Sequence, residues 1–319
     1  MGENLPDIVI HILKELKSNF MKADLHIHSK FSDGKQWPEE IVAMAKAMNF
    51  EMLALTDHDT MAGVKKFLKA CSKHDIKGIP AVEIDYNVKE INYNSELLGY
   101  FPEGKYARTQ DILNELQQIR KGIAFEAISI VSIEHKRNDL SFNDLLRHKL
   151  NEPLLNSEEL NISITKPDLF NYFIDRDVAI GYGKDDYSTF KKEFFDRPVF
   201  TKISSLKPGL IDWIHTINED GGSAVLAHPA YHYKLNAKEM NEDRNNCLSV
   251  FKQLKEQGLW GIELHSYDNE TKRIPLNVFF SDIANELGLH LTCGSDSHNV
   301  GTPDRMVGEF YGDFEEFSK

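Results

Sequence analysis

Three stretches of this chain repeat one grammar, and that grammar leaves few folds open: an amphipathic helix, a glycine where it ends, a short apolar strand, then a side chain able to bind a metal. They are LIDWIHTINEDGGSAVLAHP (210–229), VFKQLKEQGLWGIELHS (250–266) and VFFSDIANELGLHLTCGSDSH (278–298). Gly221, Gly258 and Gly288 suit the left-handed residue that closes a helix. The first half follows the same logic. KADLHIH reads as a strand, PEEIVAMAKAMNF as a helix opened by Pro38, EMLALTDHD as a strand and MAGVKKFLKACSKHD as a helix, with KGIPAVEID and ELLGYF as two further strands. Strands alternating with helices imply a parallel sheet with helices outside, and seven such strands predict an α/β protein built as a distorted (β/α)7 barrel. An open doubly wound sheet is the alternative, but no glycine-rich phosphate loop follows any strand.

Between Pro102 and about Lys202 the grammar stops, and helical stretches such as RTQDILNELQQIRKGIA and PDLFNYFIDRD take over. Residues 103–202 are therefore expected to form an inserted, mostly helical cap between two barrel parts, 21–102 and 203–319, with 1–20 as an N-terminal helical extension. Leaving from the end of one strand, the insertion is expected to lie over the face where the ligand-bearing strands finish. Its aromatics Phe170, Tyr172, Tyr182 and Tyr187 are helix-spaced and read as cap core rather than as base-stacking surfaces.

Composition narrows the partners. No apolar run approaches the roughly 20 residues that cross a bilayer, and the first residues lack a basic start and a cleavage site, so a cytoplasmic protein is expected. Cys71, Cys247 and Cys293 lack metal-type spacing and read as buried small residues in a reducing compartment. With 50 acidic against 37 basic side chains, the net charge of −13 disfavours extended binding along nucleic acid but leaves room for a small phosphorylated ligand at a local cation cluster.

The chemistry sits at strand ends. His26 and His28 are two apart on one strand and so point the same way. Asp33 follows in an SDG turn, His58 lies in LTDHD, Glu83 in VEID, His228 in LAHP, and Asp296 with His298 in CGSDSH. On a barrel these positions gather at the C-terminal mouth. So many imidazoles and carboxylates cannot be buried together without compensation, which divalent cations supply. Nitrogen and oxygen ligands without thiolate suit Mn, Zn or Fe.

At DLHIHSKFSDG, LALTDHDT, VEID, LAHPA and CGSDSH the chain resembles the PHP (polymerase and histidinol phosphatase) superfamily, within it the stand-alone metal-dependent phosphoesterases that act on nucleotides. The resemblance implies a distorted (β/α)7 barrel with two or three divalent metals. One metal would be held by His26, His28, Glu83 and Asp296, a neighbouring one by Asp33, His58 and His298, and the remaining position by His228 with bridging Glu83. Where the family usually adds a histidine, in a segment resembling HLLGY, this chain has Glu96, which would ligate through oxygen or leave the cluster dinuclear. Lys166 and Asp168 stand where nucleotide-hydrolysing members carry the arginine and histidine of an RPH motif, and Tyr231 stands where HPARY would place an arginine. The arginine-to-lysine exchange keeps charge but loses a bidentate fork.

The activity so implied is hydrolysis of a phosphate ester on a small molecule, a nucleotide or short oligonucleotide, by a metal-activated hydroxide. His228, His232 or Asp33 would pass a proton to the leaving oxygen, and Lys166, Arg176 or Arg197 would face the phosphate from the cap. A histidinol-phosphate-type phosphatase, a metal-dependent C–N hydrolase and a noncatalytic metal-binding module are the alternatives.

Overall fold

The computed structural model describes residues 21–87, 91–150, 161–179, 181–265, 270–299 and 310–312, so the expected helix over 1–20 falls outside them. Strands β1 (Met21–Ile27), β2 (Met52–Leu55), β3 (Lys77–Ile84), β4 (Leu97–Tyr100), β5 (Ser223–Leu226), β6 (Gly261–His265) and β7 (His290–Gly294) are hydrogen-bonded side by side in chain order. A bridge from Ile27 to Ser297, with the His28 N–H donating to the Ser297 carbonyl at 2.9 Å, brings the ends of β1 and β7 together at the mouth. At the opposite end of β1 a short eighth strand, β8 (Phe310–Gly312), pairs antiparallel with Met21–Ala23. The result is a nearly closed seven-strand barrel with helices outside it.

Strand residues fill most of the barrel, among them Leu25, Ala54, Ile79, Ala81, Tyr100 and Val225. Outside, α1 (Pro38–Ala47) and α2 (Val64–His74) bury Ile41, Val42 and Phe67 against Leu53 and Leu55. Helices α8 (Leu210–Glu219), α10 (Arg244–Glu256) and α11 (Glu270–Leu287) cover Leu226 and Ile262 with Trp213, Phe251 and Phe280. Gly258, at φ 99°, closes α10 in the left-handed conformation expected of it. No helix among the described residues is long and apolar enough to cross a membrane.

Two expectations need correction. The sheet is not wholly parallel: β4 runs antiparallel to both β3 and β5. A parallel neighbour needs a long crossover, usually a helix, and no helix is described between Ile84 and Leu97. Because β4 is reversed, its last residue Tyr100 pairs with Ser223, the first residue of β5, so the insertion departs from the face opposite the mouth. It returns on α3 (Ala107–His135), whose 29 residues span about 43 Å at about 1.5 Å per residue. The Asp220 carboxylate, just after α8, accepts the N–H groups of Arg108 and Thr109 at 3.2 and 2.8 Å and starts this helix at the foot.

Helix α3 then changes partners along its length. Leu113 and Leu116 pack into the barrel's outer core, whereas Ile123, Ala124, Ala127 and Val131 join a separate core with Phe170, Phe173, Phe190 and Phe194. Those aromatics come from α5 (Lys166–Asp175) and α6 (Tyr187–Phe195), which with α4 (Phe142–Leu150) and α7 (Pro198–Ser204) make up the helical insertion. Helix α5 starts in a reciprocal cap: the Thr165 N–H donates to Asp168 at 2.8 Å and the Asp168 N–H to the Thr165 hydroxyl at 3.4 Å.

Candidate metal centre

The barrel mouth brings eight of the nine expected ligands around one carboxylate. Glu83, at the end of β3, places Oε2 3.2 Å from His26 Nε2, 3.2 Å from His28 Nε2 and 3.1 Å from His58 Nδ1, and Oε1 2.9 Å from His228 Nε2. Asp296 lies 3.0 Å from His28 Nε2, and Asp33 bridges His298 at 3.2 Å and His58 at 3.6 Å. Glu96 reaches the same centre from the residue before β4, 3.3 Å from His228 and 3.7 Å from His58. Among the described residues the potential ligand atoms fall into overlapping sets, each within 4.8 Å: His26, His28, Glu83 and Asp296; His28, Asp33, His58 and His298; His58, Glu83 and Glu96; His26, Glu263 and His265. Against the partition implied by the resemblance, His28 stands between two sets and Glu96 joins His58 rather than standing apart.

The loops that carry these groups are bent unusually. His228 at φ 25°, Asp59 at φ 53° and Asp296 at φ 53° occupy the left-handed region, which costs side-chain-bearing residues of order 1 kcal/mol or more. Buried hydrogen bonds hold the turns. Asp57 accepts from the Ser29 N–H at 2.7 Å and the Ser32 hydroxyl at 2.6 Å, and Asp24 accepts from the Ser295 hydroxyl at 2.6 Å.

Charge alternates through the cluster. Burial works against ionising Asp33, but His58 and His298 hold its carboxyl well below the usual range, and the imidazoles around Glu83 and Asp296 do the same for them. Burial likewise opposes charge on His28, yet Asp296 and Glu83 hold its pKa well above the ordinary value. Even so, despite these close approaches, Asp33 Oδ1, His58 Nδ1 and Glu83 Oε2 are buried and make no well-aligned hydrogen bond among the described residues. Convergent lone pairs of nitrogen and oxygen, crowded and unsatisfied, fit a site for divalent cations.

A cavity of about 210 Å³ runs from Asp33, His58 and Glu96 up to the cap. Four basic side chains line it: Arg120 from α3, Lys166 from the first turn of α5, Lys191 from α6, and Lys207. Arg120 is committed to Asp59 and Lys207 to Asp85. Lys166 instead stacks its amine 5.3 Å over Phe195.

The remaining expected site residues lie elsewhere. Arg176 is engaged by Asp144 through two bonds of 2.8 and 2.9 Å, and Arg197 by Glu134 at 2.9 Å while stacking on Phe194. Both serve the cap's own packing and do not line the cavity, because an acidic partner within the cap claims each guanidinium. His232 accepts the Asn94 N–H at 2.9 Å and stacks on Tyr93 with centroids 4.3 Å apart, so its ring is occupied outside the ligand sets. Asp168 caps α5 and pairs with Lys149 at 2.6 Å. Tyr231 packs its ring 5.1 Å from that of His228. Of the cap aromatics, Phe170 and Tyr172 are core and Tyr182 packs against it, as expected, but Tyr187 also lines the cavity.

Sequence reading missed Glu263, His265, Arg120, Lys191 and Lys207. The first two carried a usable signal, being polar residues inside the apolar strand GIELH; the others sit in helices or loops with no local mark.

A family model for the PHP domain matches residues 24–160. Over that stretch the chain is similar to the PHP domain. The PHP match spans His26 to Glu96, while His228, Asp296 and His298 reach the same centre from beyond it. Over 294 residues the chain is 27% identical to a 3',5'-nucleoside bisphosphate phosphatase of Chromobacterium violaceum, covering 89% of this chain and 90% of that protein. In fold it is similar to a protein from Bifidobacterium adolescentis described as a metal-dependent phosphoesterase (TM-score 0.65, 21% identity, 92% and 93% of the two chains). It is equally similar to an amidohydrolase from Chromobacterium violaceum with bound sulfate and no metal (TM-score 0.65, 22% identity, 93% of each chain).

Proposed function

We propose that this protein is a metal-dependent phosphoesterase of the PHP type that removes phosphate from a small nucleotide. The observation that carries this reading is the junction of two opposite surfaces: a buried imidazole and carboxylate cluster opens directly into a cavity whose far side presents Lys166 and Lys191. The likeness to a nucleoside bisphosphate phosphatase over most of both chains supports a nucleotide as substrate.

Divalent cations held by His26, His28, Asp33, His58, Glu83, Asp296 and His298 would acidify water and draw charge from a phosphoryl group. Glu83 and Asp33 keep the imidazoles facing one centre, and Glu96 extends the carboxylate rim toward the cavity. Lys166 and Lys191 bind the anionic end of the substrate, and Tyr187 with Ile123 and Leu169 supplies apolar wall for its body. Proton delivery to the leaving oxygen falls to His228: Asp33 is held ionised by His58 and His298, and His232 is turned away from the cluster.

The test is inorganic phosphate release from nucleoside monophosphates, 3',5'-bisphosphates, short oligonucleotides and histidinol phosphate, with manganese, with chelator, and with His28→Ala. Turnover that requires metal and disappears in the variant is expected, greatest on the nucleotides. Metal-loaded protein that releases no phosphate from any of them refutes the reading.

A further inference from the structure

Glu263 lies in none of the five sequence motifs, yet its carboxylate touches two histidines of the centre, His26 and His228. It stands on β6 with 1% of its surface exposed, and its two oxygens are divided. Oε1 lies 2.7 Å from His26 Nδ1, and Oε2 accepts the backbone N–H of His228 at 2.7 Å. His265 Nδ1 approaches Oε2 only to 3.6 Å.

Two independent features show that the surrounding backbone is shaped to this arrangement. Gly294, beside His265 on β7, faces the pair: a Cβ there would lie 2.2 Å from His26 Cβ and 2.4 Å from Glu263 Oε1. Only a residue without a side chain leaves room for His26 and Glu263 to meet. His228, in turn, has φ 25° and ψ 57°, and the Glu263 bond fixes the N–H of this bent residue while its ring reaches Glu83.

We propose that Glu263 is a positioning residue that sets two groups of the centre at once, holding the metal ligand His26 as the tautomer with its proton on Nδ1 and fixing the backbone that aims the proton donor His228. The inference rests on the metal-dependent reading above. With Nδ1–H donating to Oε1, the lone pair of Nε2 points at His28, Glu83 and Asp296, where a cation needs it. Glu263→Gln conserves volume but leaves one acceptor oxygen for two donors. If that oxygen takes the His228 N–H, the amide NH2 faces His26 Nδ1 and drives the ring proton to Nε2, into the cluster. If it takes His26, the His228 N–H is left facing a donor.

Three measurements test this. In wild-type protein loaded with zinc, long-range 1H–15N spectra of the ring, assigned with His26→Asn, should show His26 protonated at Nδ1. Competition against a chelating dye should show Glu263→Gln binding manganese about 10- to 100-fold more weakly than wild type. Gly294→Ala, which keeps every ligating group but separates the pair, should weaken manganese binding in the same direction. A His26 ring protonated at Nε2 overturns the proposal, and this result needs no variant to fold. Equal manganese affinity in wild type and both variants overturns it while leaving the metal-dependent reading intact. Wild-type protein that binds no manganese or zinc overturns both.

Discussion

Arg120 ties the returning helix to the loops that carry the metal ligands, and its removal gives a sharp prediction. The guanidinium bonds the Asp59 carboxylate through Nε and Nη2 and lies 3.8 Å from Asp85. The Asp59 side chain is fully buried and that of Arg120 is 10% exposed, so water screens the pair little. Asp59 itself stands between two ligands: it follows His58, and its N–H donates to the Glu83 carbonyl at 2.8 Å. Arg120→Ala strands that carboxylate, and breaking a buried pair from one side costs about 3–5 kcal/mol. Asp59 would keep the Asp85 N–H at 2.9 Å, which places the expected loss at the low end, about 3 kcal/mol. In urea, with a slope of about 3 kcal/mol per molar, that moves the midpoint down by about 1 M. Arg120→Ala/Asp59→Asn removes the stranded charge and should recover roughly half of the loss. Both are measured by urea unfolding of chelated protein, so that metal binding contributes nothing. A midpoint for Arg120→Ala within about 0.2 M of wild type, or a double variant no more stable than the single one, would show that the pair does not clamp the cap to the barrel.

Other expectations follow from the same geometry. Cys71 and Cys247 are buried and their thiols are pushed up to about 12 and about 11 by that burial, and burial raises Cys293 as well, so native protein should show no rapid reaction with a thiol reagent at pH 8 and three equivalents after denaturation; one fast equivalent in the native state contradicts the packing. Manganese at a hundred times its dissociation constant should stabilise the fold by about 2.7 kcal/mol per site, read as a rise in the thermal midpoint; an unmoved midpoint refutes native-state metal binding. Without metal, burial opposes charge on His26, but Glu83 and Glu263 raise its pKa from 6.5 to about 10. A group raised in the folded state contributes stability fully below its unfolded pKa and loses it as pH climbs through the folded value. Chelated protein should therefore unfold at progressively lower urea between pH 7 and pH 10, and a flat or rising profile would exclude this charge pattern.

What was legible in the sequence was what repeats locally. His26 with His28, Glu83, His228, Asp296 and His298 announce themselves because each ends or follows an apolar strand, and a barrel delivers strand ends to one face. The same rule misplaced the insertion's exit, because it takes every strand to point the same way. The correction was available in the missing crossover: no helix is described between VEID and ELLGYF, and two adjacent strands joined without one run in opposite directions. Once β4 is reversed, the chain has to climb back from the foot of the barrel to its mouth, and the first half of α3 makes that climb, meeting Asp59 at Arg120.

The residues that escaped are those whose meaning is a partner far away in sequence. Glu263 meets His26 across 237 positions and Arg120 meets Asp59 across 61, and no periodicity links either pair. On a single strand Glu263 is only a carboxylate in apolar surroundings. Its purpose appears when β6 is set beside β7, where Gly294 clears the space it needs, and within reach of β1. Arg120 is likewise one basic residue among many on a helix until that helix climbs the barrel and meets the turn after His58. The ligands are thus encoded by local pattern and their orientation by tertiary contact. It follows that variants at Glu263 and Arg120 should leave every sequence motif intact while altering, respectively, how tightly the cluster holds metal and how firmly the cap is docked.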